Sequence, residues 1–317
     1  MGTVRGAAFA AQDQSGVFDF VTVDGIRLRY FETGAGSPPV VLLHGNGSMI
    51  EDFICSGVMD HAASRFRFIA FDRPGFGYSA RPSGRAWGPS EQARLLLDAL
   101  ARLGAERPIV VGHSWGTLVA LAMALERPAE VAGLVLISGY YYPVPRPATV
   151  MAPAAFPFAS EVLRYVMRRL MAPETLRRVF APCLVPDRFK RDFPLQLATR
   201  ESQMRTVEEE AAELPHAART LCRTYQNVSV PVHLIAGLND RIVDTELHSA
   251  RLHQELGNST FHRIPGRGHM VHHAAPEKVI SAIESISCAY RSLPQALTRD
   301  NSPHRSWLQI GETLEAA

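Results

Sequence analysis

Six short apolar runs, PPVVLLHG, FRFIAFD, RPIVVGHS, VAGLVLIS, VPVHLIAG and STFHRIPG, recur along the chain between residues 38 and 266. Runs of this length, rich in β-branched residues and without polar alternation, predict strands buried on both faces, as in a parallel sheet. Most are separated by helix formers with apolar positions three to four apart: Ser90–Leu103, Trp115–Glu126, Thr245–Leu256 and Pro276–Ser287. That alternation predicts an α/β architecture, a mainly parallel sheet wrapped by helices. Before it, FVTVDGIRLRYFETG alternates apolar and polar residues on both sides of Asp24-Gly25, which predicts an antiparallel hairpin.

The rhythm breaks between Tyr140 and about Pro215. This segment opens with YYYPVPRPATVMAPAAFP and continues as short amphipathic pieces such as EVLRYVMRRL and PETLRRVF. The expected organisation is a core domain over 18–139 and 216–290, a helical cap inserted over 140–215, and flexible termini over 1–17 and 291–317. With 317 residues, 46% of them hydrophobic and 20% charged, the chain is long enough for one large core plus a subdomain. A formal charge of only +2 and the lack of a basic block argue against a nucleic-acid partner and for a neutral or small substrate. Cys55, Cys183, Cys222 and Cys288 show no paired spacing, so reduced, mostly buried thiols are expected rather than a disulfide frame. The first residues lack the apolar stretch of a secretory signal, and no run approaches the roughly 20 apolar residues of a membrane span. A cytoplasmic protein without a membrane span is therefore expected.

Within RPIVVGHSWGTLVALAMAL, the pentapeptide GHSWG lies where a β-branched run becomes a run of helix formers. Gly112 and Gly116 leave room for a turn that forces Ser114 into strained backbone angles and lifts its hydroxyl above the sheet edge. A serine hydroxyl needs a base, and the base needs an acid to orient it. Both stand past later strands: Asp240 in LNDRIVD after VPVHLIAG, and His269 in RGHMVHH after STFHRIPG.

The order Ser114, Asp240, His269 resembles that of the α/β-hydrolase family, and the resemblance covers nearly all of residues 18–290. LLHGNG, residues 42–47, is similar to the family's His-Gly loop, and FDRPGFGYS, residues 71–79, to its Asp-x-x-Gly-x-Gly-x-Ser loop. The resemblance implies an eight-stranded, twisted, mainly parallel sheet with a cap after the sixth core strand. It also implies an oxyanion hole built from the backbone N–H groups of Asn46 and Trp115.

Several residues compete for these roles. Asp244 precedes TELHSARLHQEL and is better explained as a helix N-cap than as the acid. His272 and His273 form a His-x-x-His-His cluster with His269, but no neighbouring Cys or acidic residue completes a ligand set, so no metal and no other cofactor are expected. His44 reads as a loop-structuring histidine, and Asp72 and Arg73 as loop anchors. Tyr140, Tyr141, Phe156, Met167 and Met171 are candidates to line an apolar substrate pocket.

Members of the family that open epoxides or displace halide carry an aspartate at the elbow, where this chain has Ser114. The resemblance then implies acyl chemistry: a carboxylesterase-like serine hydrolase acting on a small, largely uncharged ester or acyl substrate. Trp115 after the serine keeps a proline-iminopeptidase-like peptidase open, and C–C bond hydrolases share the framework. From another class, the same fold also serves as a small-molecule receptor.

Overall fold

The computed structural model describes residues 16–143 and 174–292. One eight-stranded sheet runs through the molecule in the order β1-β2-β4-β3-β5-β6-β7-β8. Strands β1 (Val17–Val23) and β2 (Ile26–Thr33) form the expected hairpin. Asp24 and Gly25 both take positive φ, 49° and 74°, which matches the twist of the flanking strands. Strand β2 then pairs antiparallel with β4 (Phe68–Phe71), and every pairing beyond it is parallel.

The parallel strands β3 (Val40–Leu43), β4, β5 (Ile109–His113), β6 (Gly133–Ile137) and β7 (Val232–Gly237) are buried at every residue. Their continuous apolar runs serve two cores at once. On one face Val41, Val110 and Leu136 pack with Leu96 of α2 (Pro89–Arg102) and Leu118 of α3 (Gly116–Glu126). On the other, Leu42, Val111 and Ile137 pack with Phe53 of α1 (Ile50–Ser56) and Ile283 of the last described helix, Pro276–Arg291. Strand β8 (Ser259–Ile264) differs from expectation: it closes the parallel edge, and all of its residues are at least partly exposed, because no further strand covers it.

Between β6 and β7 the described residues contain helices and no strand. They include α4 (Asp187–Asp192), α5 (Leu195–Ala198) and the long α6 (Glu201–Leu221), which runs through Pro215. The single helix expected over Thr245–Leu256 is two pieces: a wide π turn, Glu246–Ala250, followed by α7 (Arg251–Glu255). In that turn the N–H of Ala250 donates to the carbonyl of Thr245 at 2.9 Å, and buried His248 accepts from the N–H of Tyr141 at 3.0 Å. The helix α8 (Val271–Ala274) and α9 (Pro276–Arg291) complete the described chain. All four cysteines are free, as expected, but only Cys55 is buried. Among the described residues no helix is long and apolar enough to cross a membrane.

Parallel pairing brings the carboxyl ends of β3, β5, β7 and β8 to one edge of the sheet, where loops beyond strand ends form a crevice. The close approach at that edge is built on glycine. A methyl group at Gly116 would drive into the carbonyl oxygens of Leu43 and His44, and one at Gly112 would lie 2.6 Å from the carbonyl oxygen of Gly116. Gly116→Ala should lower stability by about 1–3 kcal/mol, since backbone rather than side chain must move. Gly257→Ala, where nothing lies within 4 Å, should leave the urea midpoint within experimental error of wild type or raise it slightly.

Candidate functional site

Ser114 stands between β5 and α3 with φ of 51°, the strained geometry that the flanking glycines were expected to permit. The turn is pinned from both sides. Its N–H donates to the carbonyl of Ile137 at 2.8 Å, and its carbonyl accepts from the N–H of Thr117 at 3.1 Å and from Thr117 Oγ1 at 2.6 Å. Its side chain lies against the His44–Asn46 loop, where a Cβ on Gly45 would be 3.1 Å from Ser114 Cβ.

The structure brings Asp240 and His269 together. Asp240 Oδ2 lies 2.8 Å from His269 Nδ1, with both side chains buried. Asp240 Oδ1 accepts the N–H groups of Ile242 (2.8 Å) and Val243 (3.0 Å), which fixes the carboxylate plane and leaves Oδ2 for the imidazole. Asp244 is exposed and accepts the N–H of Leu247 at 2.8 Å, the capping role expected of it. The His269 ring packs 5.0 Å from that of His113, the residue immediately before Ser114. Among the described residues Ser114 Oγ makes no hydrogen bond to His269; such contacts are often loose without substrate and tighten when it binds.

The loop that carries Asn46 is held by a buried polar network. His44 Nε2 accepts the N–H of Arg73 at 3.0 Å, and His44 Nδ1 donates to the carbonyl of Gly45 at 2.7 Å. Burial, reinforced by the Arg73 charge, holds the His44 imidazole well below its usual pKa, consistent with the neutral form that can accept from Arg73. Arg73 Nε donates back to the His44 carbonyl at 2.8 Å, and its two terminal nitrogens clamp Glu210 of α6 at 2.5 and 3.0 Å. Gln92 joins both partners, accepting from Arg73 and donating to Glu210, each at 3.0 Å. Helix α6 is thereby seated on the loop. Two further bonds extend that seat: Asn46 Nδ2 donates to the Val207 carbonyl (3.0 Å) and Trp115 Nε1 to the Glu210 carbonyl (3.2 Å). Among the described residues the backbone N–H groups of Asn46 and Trp115 carry no hydrogen bond. Sequence reading identified Arg73 as an anchor but missed Glu210, which is an ordinary member of an acidic helix face in VEEEAAEL until the fold brings it across 137 positions.

A second polar cluster lies beside this site. Asp52 of α1 meets His272 Nε2 at 3.3 Å and His273 Nε2 at 2.7 Å, and its Oδ2 is 3.9 Å from His113 Nδ1. Burial alone would raise the Asp52 carboxyl, but His272 and His273 hold it well below the usual carboxylate range. This corrects the sequence reading, in which the histidines had no acidic neighbour. Asp52 looked like a first-turn helix carboxylate, and only packing of α1 against α8 reveals its partners.

Of the pocket candidates, Tyr140 and Tyr141 are buried, Tyr140 against the His248 ring at 4.4 Å and Tyr141 facing Tyr225 at 6.5 Å. Both belong to the core cluster on the α3 face. Phe156, Met167 and Met171 lie outside the described residues.

A family profile described as alpha/beta hydrolase fold matches residues 38–276. Haloalkane dehalogenase 2 of Mycobacterium tuberculosis (strain H37Rv) is 27% identical over 271 residues, 81% of this chain and 90% of that protein. Among solved structures, a membrane phospholipase A superposes with a TM-score of 0.65 at 22% identity, covering 88% of this chain and 87% of that one. The epoxide hydrolase CorEH does so with a TM-score of 0.67 at 19% identity, covering 87% and 99%. The solved structures share the fold; their substrates differ.

The Arg73–Glu210 pair generates a direct prediction. Both side chains are essentially inaccessible, 0% and 1% exposed, so Glu210→Ala leaves a buried guanidinium without its counter-charge. The expected loss is about 3–5 kcal/mol of stability, measured by denaturant unfolding. A loss within the range of a surface substitution would show that Arg73 finds another partner.

Proposed function

The chain belongs to the α/β-hydrolase fold family, and on that footing we propose that it is a carboxylesterase-like serine hydrolase acting on a small, largely uncharged ester or related acyl substrate. The observation that carries this reading is Ser114 itself: a strained hydroxyl at the elbow, on the same sheet edge as a buried imidazole already oriented by Asp240 at 2.8 Å. In the proposed mechanism His269 Nε2 takes the proton from Ser114 Oγ as the oxygen attacks the acyl carbon. Asp240 keeps the Nδ1–H tautomer and stabilises the imidazolium that forms. The developing oxyanion is received by the N–H groups of Asn46 and Trp115. His269 then protonates the leaving alkoxide, and water, activated by the same imidazole, releases the acid.

Dehalogenases and epoxide hydrolases among the similar proteins do not carry over their reactions, because those chemistries use a carboxylate nucleophile and this chain offers a hydroxyl at the elbow. Residues 140–215 form the cap in this reading. Helix α6 fastens it over the oxyanion loop. A cytoplasmic location agrees with four unpaired cysteines.

Ser114→Ala should fold normally, judged by its unfolding transition, and lose turnover of p-nitrophenyl esters by up to about a millionfold. A folded Ser114→Ala variant with wild-type rates would overturn the mechanism. Asp240→Asn should cost roughly ten-thousandfold in kcat, while Asp244→Asn should stay largely active because Asn also caps helices. The reverse ranking would assign the acid to Asp244.

A further inference from the structure

Beneath the loop that carries His269, polar atoms from three separate elements meet without the partners their chemistry requires. His113 Nε2 lies 3.3 Å from the carbonyl oxygen of His269. A carbonyl can only accept, so that nitrogen carries the hydrogen and His113 Nδ1 presents a lone pair. Nδ1 is buried and has no hydrogen-bond partner, and neither has Asp52 Oδ2, 3.9 Å away and fully buried. Two electron pairs therefore face each other across a buried gap too wide for a direct hydrogen bond, an arrangement that a cation between them would satisfy. Among the described residues no Arg or Lys pairs with Asp52; its charged-group neighbours are His113, His272 and His273. His272 closes the third side. Its ring lies 4.3 Å from that of His113, it is wholly buried, and its Nδ1 has no partner.

We propose that Asp52, His113 and His272 form a binding site for a divalent transition-metal ion of the zinc class. One ligand atom from each residue lies within 4.8 Å of the others; each oxygen of Asp52 faces one imidazole, Oδ1 3.3 Å from His272 Nε2 and Oδ2 3.9 Å from His113 Nδ1, distances on either side of the ~3.4 Å between neighbouring ligands of a tetrahedral ion with bonds near 2.1 Å. Two imidazoles and one carboxylate select zinc or its neighbours over magnesium or calcium, which favour oxygen. Supporting contacts of the kind that orient metal ligands are already made. His113 donates its other ring N–H to a backbone carbonyl, and His273 Nε2 donates to Asp52 Oδ1 at 2.7 Å.

The surroundings suit a structural ion. Phe53 packs 5.4 Å from the His272 ring, and Phe180 and Phe189 flank His273 at 5.1 and 5.4 Å, so the site is walled by apolar rings on that side. On the far side of His273 lies a cavity of 190 Å³ that it lines together with Phe180, Cys183 and Met270. The ion would join α1, β5 and α8 directly under the carbonyl of His269. Among the described residues its ligands make no hydrogen bond to the Ser114 hydroxyl or to His269 Nε2, so it would act as a staple for the His269 loop, and the site stands whether or not the substrate is an ester.

The test uses the full chain with any affinity tag removed, stripped by chelator and then offered Zn²⁺ or Co²⁺ alone. Wild type should retain one equivalent of metal through gel filtration, show the visible absorption of cobalt in a tetrahedral nitrogen–oxygen site, and melt at a higher temperature with metal than without. Asp52→Asn and His272→Gln should each weaken zinc affinity by about a hundredfold or more. His262→Ala should not, although His262 sits 2.9 Å from His233 in a separate histidine pair on the β7–β8 edge. Wild-type protein that retains no metal and shows no cobalt spectrum overturns the proposal; so does metal that survives Asp52→Asn or is lost in His262→Ala. If Asp52→Asn does not fold, the wild-type spectrum and His272→Gln decide.

Discussion

Helix α3 comes so close to strand β3 that no side chain fits between them, and the arrangement of the site follows from that closeness. Gly116 presses on the carbonyls of Leu43 and His44, which brings the loop after β3 against Ser114. The register continues it: Leu43 pairs with Gly112, so the chain leaves both strands at the same height and the two loops diverge side by side. The strained φ of Ser114 is the local cost of turning from β5 into α3 within so small a space, and buried packing of α3 on both neighbours maintains it.

Charge is confined within this frame rather than excluded from it. Arg73 is wholly buried, yet its guanidinium donors reach the His44 carbonyl, Gln92 and both oxygens of Glu210, so little of its hydrogen-bonding capacity is wasted. The network spans the loops after β3 and β4, α2 and α6. A residue that belongs to the segment between β6 and β7 thus helps to set the loop beside Ser114, and movement of α6 would be felt at Asn46 and Trp115 through their own side-chain bonds. Asp52 solves the opposite problem, a buried anion with imidazoles on three sides and no Arg or Lys paired with it among the described residues.

What could be read in the sequence was what local chemistry specifies. Asp24-Gly25 demands positive φ at two residues, GHSWG demands small residues around a sharp turn, and Asp244 sits where a helix needs a cap; each signal is contained in a few residues. Asp240 and His269 were legible because parallel strands must deliver their following loops to one edge. Glu210 and Asp52 were not, since a carboxylate on a helix looks the same whether it meets water, Arg73 or three histidines. Strand β8 misled for a related reason: an apolar run reports a preference for burial, while its place in the sheet order decides how much burial is available.

The proposed reaction passes through a covalent acyl intermediate on Ser114. The most direct measurement mixes the enzyme with excess p-nitrophenyl acetate, follows the first turnover, and weighs the acid-quenched protein and its peptides by mass spectrometry. Acylation of Ser114 should give a burst of nitrophenol stoichiometric with enzyme and an acetyl group on the peptide containing Ser114. Turnover with no acylated protein, or with the acetyl group on another residue as the kinetically competent species, would contradict it.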